Sequence, residues 1–578
     1  MRILFIGRHF TYFRNYESVI DALARRGHQI HLAAEKEEEQ GGRDMVERLA
    51  AAHPGISIGW VPEREDRWAS VTARLRMTID YLRYLDTAYD AMPKLRDRAR
   101  ERAPRLGLWL AAAASTAGSA GRRVLSAVLR TCERATPRSA RIDAYLRDQN
   151  PDVVLLTPLI GLVTSPQIDY LESAKALGYP TALCVWSWDH LSSKAIVRNV
   201  PDRVIVWNDT QRDEAVQLHR VPPDRVVVTG AQCFDQWFDR RPSTGREEFC
   251  HKVGLRADRP FVLYVCSALF RGGGSTEAQF VQRWIRALRA SGHEPLASTP
   301  ILIRPHPARM KEWADVDVAA ERDVALWGRN PLDTDSRADY FDSMHHSAAI
   351  VGLNTSAFLE GAIAGRSIFT TLLPEHHENQ EGTIHFHYLL DVAGGLLHAT
   401  RTLGAHVEQL NAALLNQTLA AGGLQASNPG NDSPRSRRFV EAFIRPRGIH
   451  VPATPLLVDA VESLARTPRR APSSDRIGVR LLRAALAPAA AMLSLAAAEP
   501  AMSSERERVI AERDRVLRDR REEGWKQKRA HEEAEQRDKG ARAAVRQRHT
   551  AQAAAEWRRT TTAKKWTRRI RRRIGLGQ

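Results

Sequence analysis

The sequence predicts an α/β protein of two domains, each a parallel sheet with helices on both faces, carrying a helical insertion in the first domain and a basic helical C-terminal tail. Three observations predict it. Short apolar runs that end in loop residues alternate with helical stretches, as parallel strands alternate with their crossover helices. The alternation occurs twice along the chain. The 578 residues also exceed what one hydrophobic core organises.

Taken in order, Arg2 to Ile6 reads as a buried strand, Glu17 to Arg26 as a helix with Val19, Ile20 and Leu23 inward, and Gln29 to Ala33 as a second strand. A charged helical stretch from about Glu63 to Arg141 interrupts the pattern as an insertion. Strands resume at Asp152 to Leu156, Thr181 to Val185, Arg203 to Trp207 and Arg225 to Val228, so the first domain covers residues 1–235. A second set runs Phe261 to Cys266, Pro300 to Ile303, Ala349 to Leu353, Ser367 to Leu372 and Gly395 to His398, and gives a domain over 236–426. Residues 427–502, rich at their start in Pro, Ser, Asn and Arg, read as a partly ordered connector. Residues 503–578 lack a sustained apolar heptad and read as a solvated basic helix.

The net charge of +18 is unevenly placed. Residues 501–578 hold 24 Lys+Arg against 12 Asp+Glu, which is +12 and leaves +6 for the first 500 residues. The main body is therefore not a general polyanion binder, and nucleic acid is not an expected partner. Five scattered cysteines without Cys-x-x-Cys spacing argue against a disulfide framework and a zinc ribbon, so a reducing compartment, the cytoplasm, is expected. The opening apolar run is too short for a signal peptide, and no stretch reaches the length of a spanning helix.

In parallel sheets ligands collect beyond the carboxyl ends of strands. Arg304-Pro305-His306-Pro307 leaves one such strand, with two prolines stiffening the backbone around a guanidinium and an imidazole, a setting that suits phosphate. Ordinary turn contacts would use the same residues. Asn354-Thr355-Ser356 lies between a strand and the helix Ala357 to Ala364, where hydroxyls and first-turn amides suit an anion or a simple N-cap. Glu360 is spaced four residues from Ser356, wrong for a capping box, and is expected to face a donor hydroxyl.

The loop Pro374 to His387 packs four histidines and three glutamates around Glu381-Gly382; hydrogen bonding to a ligand is expected, with metal binding and surface decoration as alternatives. Asp333-Thr334-Asp335 reads as helix capping sooner than as a metal motif. Ser267 closes a strand, and Arg271-Gly272-Gly273-Gly274-Ser275-Thr276 reads as a flexible turn or a phosphate cover. In the first domain the loop Gly7 to Asn15 lacks the glycines of a dinucleotide fingerprint, so no tightly bound cofactor is expected. It offers His9 as a general base, or as a satisfied structural histidine. Trp186 to Lys194 offers aromatic platforms and Asp189, a second base candidate.

Two β-α-β domains, an Arg-Pro-His-Pro loop and a Ser/Thr loop before a helix together resemble nucleotide-sugar transferases of the GT-B fold. The resemblance is closest to CDP-glycerol glycerophosphotransferase-like, capsule-polysaccharide and bacterial sialyl- or Kdo-transferase branches. It implies two Rossmann-like domains facing a cleft, with 1–235 on the acceptor side and 236–426 on the donor side. It also implies donor-phosphate contacts from His306, Thr355 and Ser356, with Arg304 and Glu360 as looser matches; Asn354 departs from the glycerophosphotransferase pattern but is expected at the phosphate by its place in the loop, and Ser267, Glu381 and Gly382 are expected beside the donor sugar or nucleotide. The implied reaction moves a sugar or polyol-phosphate from a UDP-, CMP- or CDP-linked donor to a cell-envelope glycan or lipid-linked acceptor. A UDP-sugar 2-epimerase, or a catalytically silent nucleotide-binding assembly protein at the membrane, are the alternatives. Trp566, Ile570 and Ile574 recur every four residues among nine positive charges, so the tail is expected to meet an anionic membrane surface peripherally, on the inner face of the plasma membrane.

Overall fold

A computed structural model describes residues 1–37, 41–90, 93–161, 166–268, 276–313, 316, 321–328, 331, 334–420, 433–471 and 477–498. The expected tail helix with Trp566, Ile570 and Ile574, the glycine-rich loop at 271–275, Asp333 and the start of the expected connector lie outside the described residues. Both sheets belong to one compact unit, Met1–Leu493.

Both expected sheets are present and wholly parallel. The first has seven strands, β1 (Arg2–Gly7), β2 (Gln29–Ala34), β3 (Ile56–Trp60), β4 (Val153–Thr157), β5 (Thr181–Cys184), β6 (Arg203–Val206) and β7 (Val226–Val228), in the order β3-β2-β1-β4-β5-β6-β7. The second has six, β8 (Val262–Val265), β9 (Ile301–Arg304), β10 (Val324–Leu326), β11 (Ala349–Gly352), β12 (Ile368–Thr371) and β13 (Leu397–Thr400), in the order β10-β9-β8-β11-β12-β13. Each runs outward from its first strand, reverses, and continues beyond it, which is the doubly wound Rossmann order. The sequence reading missed β3 and β10. Both are edge strands, one holding Gly59 and the other only three residues long, too short to show a period.

Alternate residues feed opposite faces, so the central strands are apolar throughout. On one face of the first sheet, Leu4, Ile6, Val154 and Leu156 meet Ile142, Leu146, Ile168 and Leu171 of flanking helices. On the other, Ile3, Phe5, Val153 and Leu155 meet Val19, Ile20 and Leu23. The insertion is helical as expected, with helices Ala69–Arg83, Pro93–Arg102, Arg105–Ser115 and Gly118–Ala135. A buried charge cluster ties it down. Arg76 bonds Asp169 through both terminal nitrogens at 3.0 Å and Glu133 at 2.9 Å, and Arg64 reaches Asp169 at 2.9 Å.

The stretch expected as a connector needs correction. Helix Pro434–Phe443 buries Phe439, Val440 and Phe443 in the second core, and helix Ala453–Ala465 returns to the first sheet, burying Leu457, Val458, Val461 and Leu464. Pro434, Pro452 and Pro455, which helped suggest a loop, stand at helix starts, where a missing N–H costs nothing.

The chain therefore crosses between the cores twice, and one carboxylate holds both crossings. Asp235 accepts from Arg445 Nη2 at 3.0 Å, Ala453 N at 3.1 Å and Thr454 N at 2.6 Å. Gly230, at φ +97°, lies so close that an added Cβ would sit 2.8 Å from Ala453 Cβ and 3.2 Å from Ile444 O. Asp235→Ala removes the acceptor of Arg445 Nη2 and of two buried amides and leaves the guanidinium without its counter-charge. We expect a loss of about 3 kcal/mol or more in urea unfolding, with Asp235→Asn milder because one oxygen remains.

Candidate functional site

Each sheet reverses its strand order at one place, between β1 and β4 in the first and between β8 and β11 in the second. Loops diverge there and leave a crevice beyond the carboxyl ends. In the second sheet Val265 pairs with Gly352 and Arg304 in register, so the chain beyond β8, β9 and β11 emerges side by side. Ser267 and Asn354 straddle the crevice, and the Asn354 amide donates to Ser267 Oγ at 3.3 Å. Ser267 is itself fixed by Glu277, which accepts from its amide at 2.8 Å and from its hydroxyl at 3.2 Å. Thr355 Oγ1 accepts from Ala357 N at 3.3 Å, while Ser356 starts the helix exposed and without a side-chain cap bond.

The histidine-rich loop is pinned beside these residues. Gln380 is wholly buried and donates to Leu353 O and Thr371 O at 3.0 Å each, and Asn354 Nδ2 donates to Asn379 O. Gly382 packs where a Cβ would lie 2.9 Å from Glu378 Cα. Glu381 instead turns to Arg401, at 2.7 and 3.2 Å, and this pair holds its pKa below the usual range. Among the described residues no group of three His, Cys, Asp or Glu side chains is arranged to hold a metal ion.

Arg304 turns inward. The Arg304 guanidinium is buried, stacks 4.8 Å from the Tyr340 ring centre and approaches Asp339 O at 3.5 Å. Gly328, at φ +131°, makes room for it, because an added Cβ would lie 2.8 Å from Cζ. Tyr340 donates to Glu360 at 2.5 Å. Burial pushes the Glu360 carboxyl up to about 7, against the Tyr340 hydroxyl and the charges of Arg14, Arg240 and Arg304. Arg304, expected to serve a phosphate or ordinary turn contacts, is thus engaged with Tyr340, which in turn bonds Glu360. Burial, with Arg309 nearby, lowers the His306 pKa and favours the neutral ring.

The first sheet supplies the opposing loops. His9 precedes the short helix Phe10–Tyr16 and packs edge-on to Tyr12 at 4.6 Å; Tyr12 in turn packs on Trp186 at 4.8 Å. Asp189 is already engaged, by Ser187 at 2.6 Å, Ser193 at 2.9 Å and Lys194 at 2.9 Å. Burial works against its charge, yet Lys194 and His385 hold the carboxyl well below the usual range, so a base role does not fit this arrangement. Several contacts bring the two edges together. Trp188 meets His385 edge-on at 4.7 Å, Arg337 lies 3.7 Å from Glu17, and Tyr388 donates to Glu214.

Sequence reasoning passed over Glu277 and Glu214, and gave Glu35 no site role. Burial pushes their carboxyls up, to about 7 for Glu277 and about 8 for Glu35 and Glu214. Only Glu35 carried a usable signal, as the acid that closes the second strand.

No protein-family model and no curated protein matches the chain. Among solved structures the chain is similar to a glycosyltransferase from Rickettsia africae at 10% identity, with 81% of this chain and 99% of that chain covered and a TM-score of 0.45. It is similar to a UDP-GlcNAc 2-epimerase from Neisseria meningitidis bound to UDP-GlcNAc (12%; 80% and 100%; 0.42). The same holds for a UDP-GlcNAc 2-epimerase from Methanocaldococcus jannaschii (11%; 76% and 99%; 0.42).

The Glu277 pKa generates a pH prediction. A carboxyl raised from 4.5 to about 7 on folding stabilises below pH 4.5, and that contribution is lost as pH rises through 7. Glu277→Gln keeps the protonated shape. Relative to wild type, its unfolding free energy should therefore rise between pH 4.5 and 7.5, by on the order of 3 kcal/mol at most. Parallel stability curves for the two proteins would contradict the assignment.

Proposed function

We propose that the chain is a transferase that moves a sugar or polyol-phosphate group from a nucleotide-activated donor to a glycan or lipid-linked acceptor. The observation that carries this reading is the placement of Ser267, Asn354, Thr355 and Ser356 beyond β8 and β11, at the strand-order reversal of the second sheet, with Asn354 bonded to Ser267 and His306 following the neighbouring strand β9. In this reading they form a ring of neutral groups around the donor phosphate. Such a ring stabilises charge that develops on a leaving phosphate without a counter-charge to be displaced. In this reading His306, Thr355 and Ser356 face the phosphate, and Arg304 sets the loop from behind through Tyr340. Glu360, whose carboxyl sits near neutrality, exchanges a proton with a donor hydroxyl. Gly382 lets the loop close on Asn354, and Glu381 anchors its outer end.

His9 stands in the corresponding loop of the first sheet and is proposed to take the acceptor proton. Asp189 keeps Lys194 and His385 in place at the cleft. No helix among the described residues is long and apolar enough to cross a membrane.

Thermal shift against UDP, CMP, CDP, GDP and their sugars tests the donor site. A ligand at a hundredfold excess over its Kd adds about 2.7 kcal/mol, a shift of several degrees that His306→Ala should reduce. Equal shifts in both proteins would remove the phosphate assignment. Nucleotide release that requires an acceptor supports transfer, whereas an altered sugar without acceptor would replace transfer by epimerisation.

A further inference from the structure

The insertion holds a surface that the cleft does not use. Helices Arg105–Ser115 and Gly118–Ala135 form a tight antiparallel hairpin, in which an added Cβ on Gly121 would lie 2.1 Å from Ala114 O. Its inner side is accounted for: Ala111 and Leu129 pack with Ile79 and Leu82 of helix Ala69–Arg83. Its outer side is apolar and bare. Leu106 and Trp109, one turn apart, are each 66% exposed, and Val124 and Val128, also one turn apart, are 64% and 52% exposed. Large apolar side chains on a solvent face in this density mark a contact surface.

Charge identifies what the surface meets. From residue 102 to 132 the chain holds five arginines and no acid, and of these Arg105 and Arg123 are exposed and Arg122 half-buried on the hairpin. A second copy would set these arginines against their like. The chain's own residues 501–578 carry a net +12 and would be repelled as well. A partner with a negatively charged surface over an apolar interior satisfies both halves of the pattern: the arginines meet the charge, and the tryptophan, leucine and valines enter beneath it.

We infer that the hairpin Arg105–Ala135 is a docking surface for anionic lipid membrane, which it enters with Leu106, Trp109, Val124 and Val128. The inference does not depend on the proposed reaction. It locates membrane contact within the insertion, a segment separate from the C-terminal tail.

The full chain is to be floated with phosphatidylcholine vesicles, with or without a third of phosphatidylglycerol, and hydrogen exchange of residues 105–135 followed in the same samples. Wild type should float with the anionic vesicles, and the hairpin amides should slow on their addition. Trp109→Asp with Val124→Asp should weaken flotation at least tenfold. Arg122→Glu with Arg123→Glu should abolish the preference for phosphatidylglycerol. Trp109, Arg123 and Val124 are exposed and Arg122 is half-buried, and an unchanged melting temperature confirms the fold. Hairpin amides that exchange equally with and without vesicles overturn the inference, even if the protein floats, because another segment then binds. Amides already slow without vesicles overturn it in favour of cover by another part of the chain. A dimer that the Trp109 and Val124 variant converts to monomer overturns it in favour of a second copy.

Discussion

Both passages of the chain between its two cores meet at the carboxylate of Asp235, and the cleft depends on that meeting. A two-core protein joined by one strand of chain can swing freely, because interfaces between domains of one chain are commonly modest in area. Here Asp235 belongs to the outgoing segment, and its two oxygens are bonded by the returning segment from Arg445 to Thr454. The cross-cleft contacts of Trp188 with His385 and of Tyr388 with Glu214 then face each other across a limited hinge. Without the common anchor, those pairs would be surface side chains.

Burial sets the chemistry of the cleft more than charge does. Glu35, Glu214, Glu277 and Glu360 all sit where removal from water raises the carboxyl toward or above neutrality, even with arginines near some of them. Asp189 is the exception. Direct bonds from Lys194 and two hydroxyls outweigh burial and keep it ionised. Proton exchange near neutral pH and fixed negative charge are thus distributed to different positions around one opening.

Much of this was legible beforehand, for reasons that particular residues make plain. Runs such as Ile301-Leu302-Ile303 announce buried parallel strands because both their faces must be apolar, and a loop at the end of such a strand announces a ligand edge. The edge strands β3 and β10 escaped because half-exposed or very short strands lack that signature. The direction of Arg304 escaped for another reason. Its stack on Tyr340 and the room left by Gly328 join residues from separate elements, and spacing along the chain carries no trace of that. The same is true of Asp235, whose partners lie more than two hundred residues away.

The returning helix Ala453–Ala465 has one more consequence, and it concerns how the protein comes into being. A chain synthesised from its amino end presents all seven strands of the first sheet before any of the second. Yet Leu457, Val458, Val461 and Leu464 complete one face of that first sheet, and they emerge only after the second sheet has been made. The first domain therefore waits, with part of its core open, through the synthesis of the second. Order of assembly is written into the path of the chain: the domain that begins first is finished last.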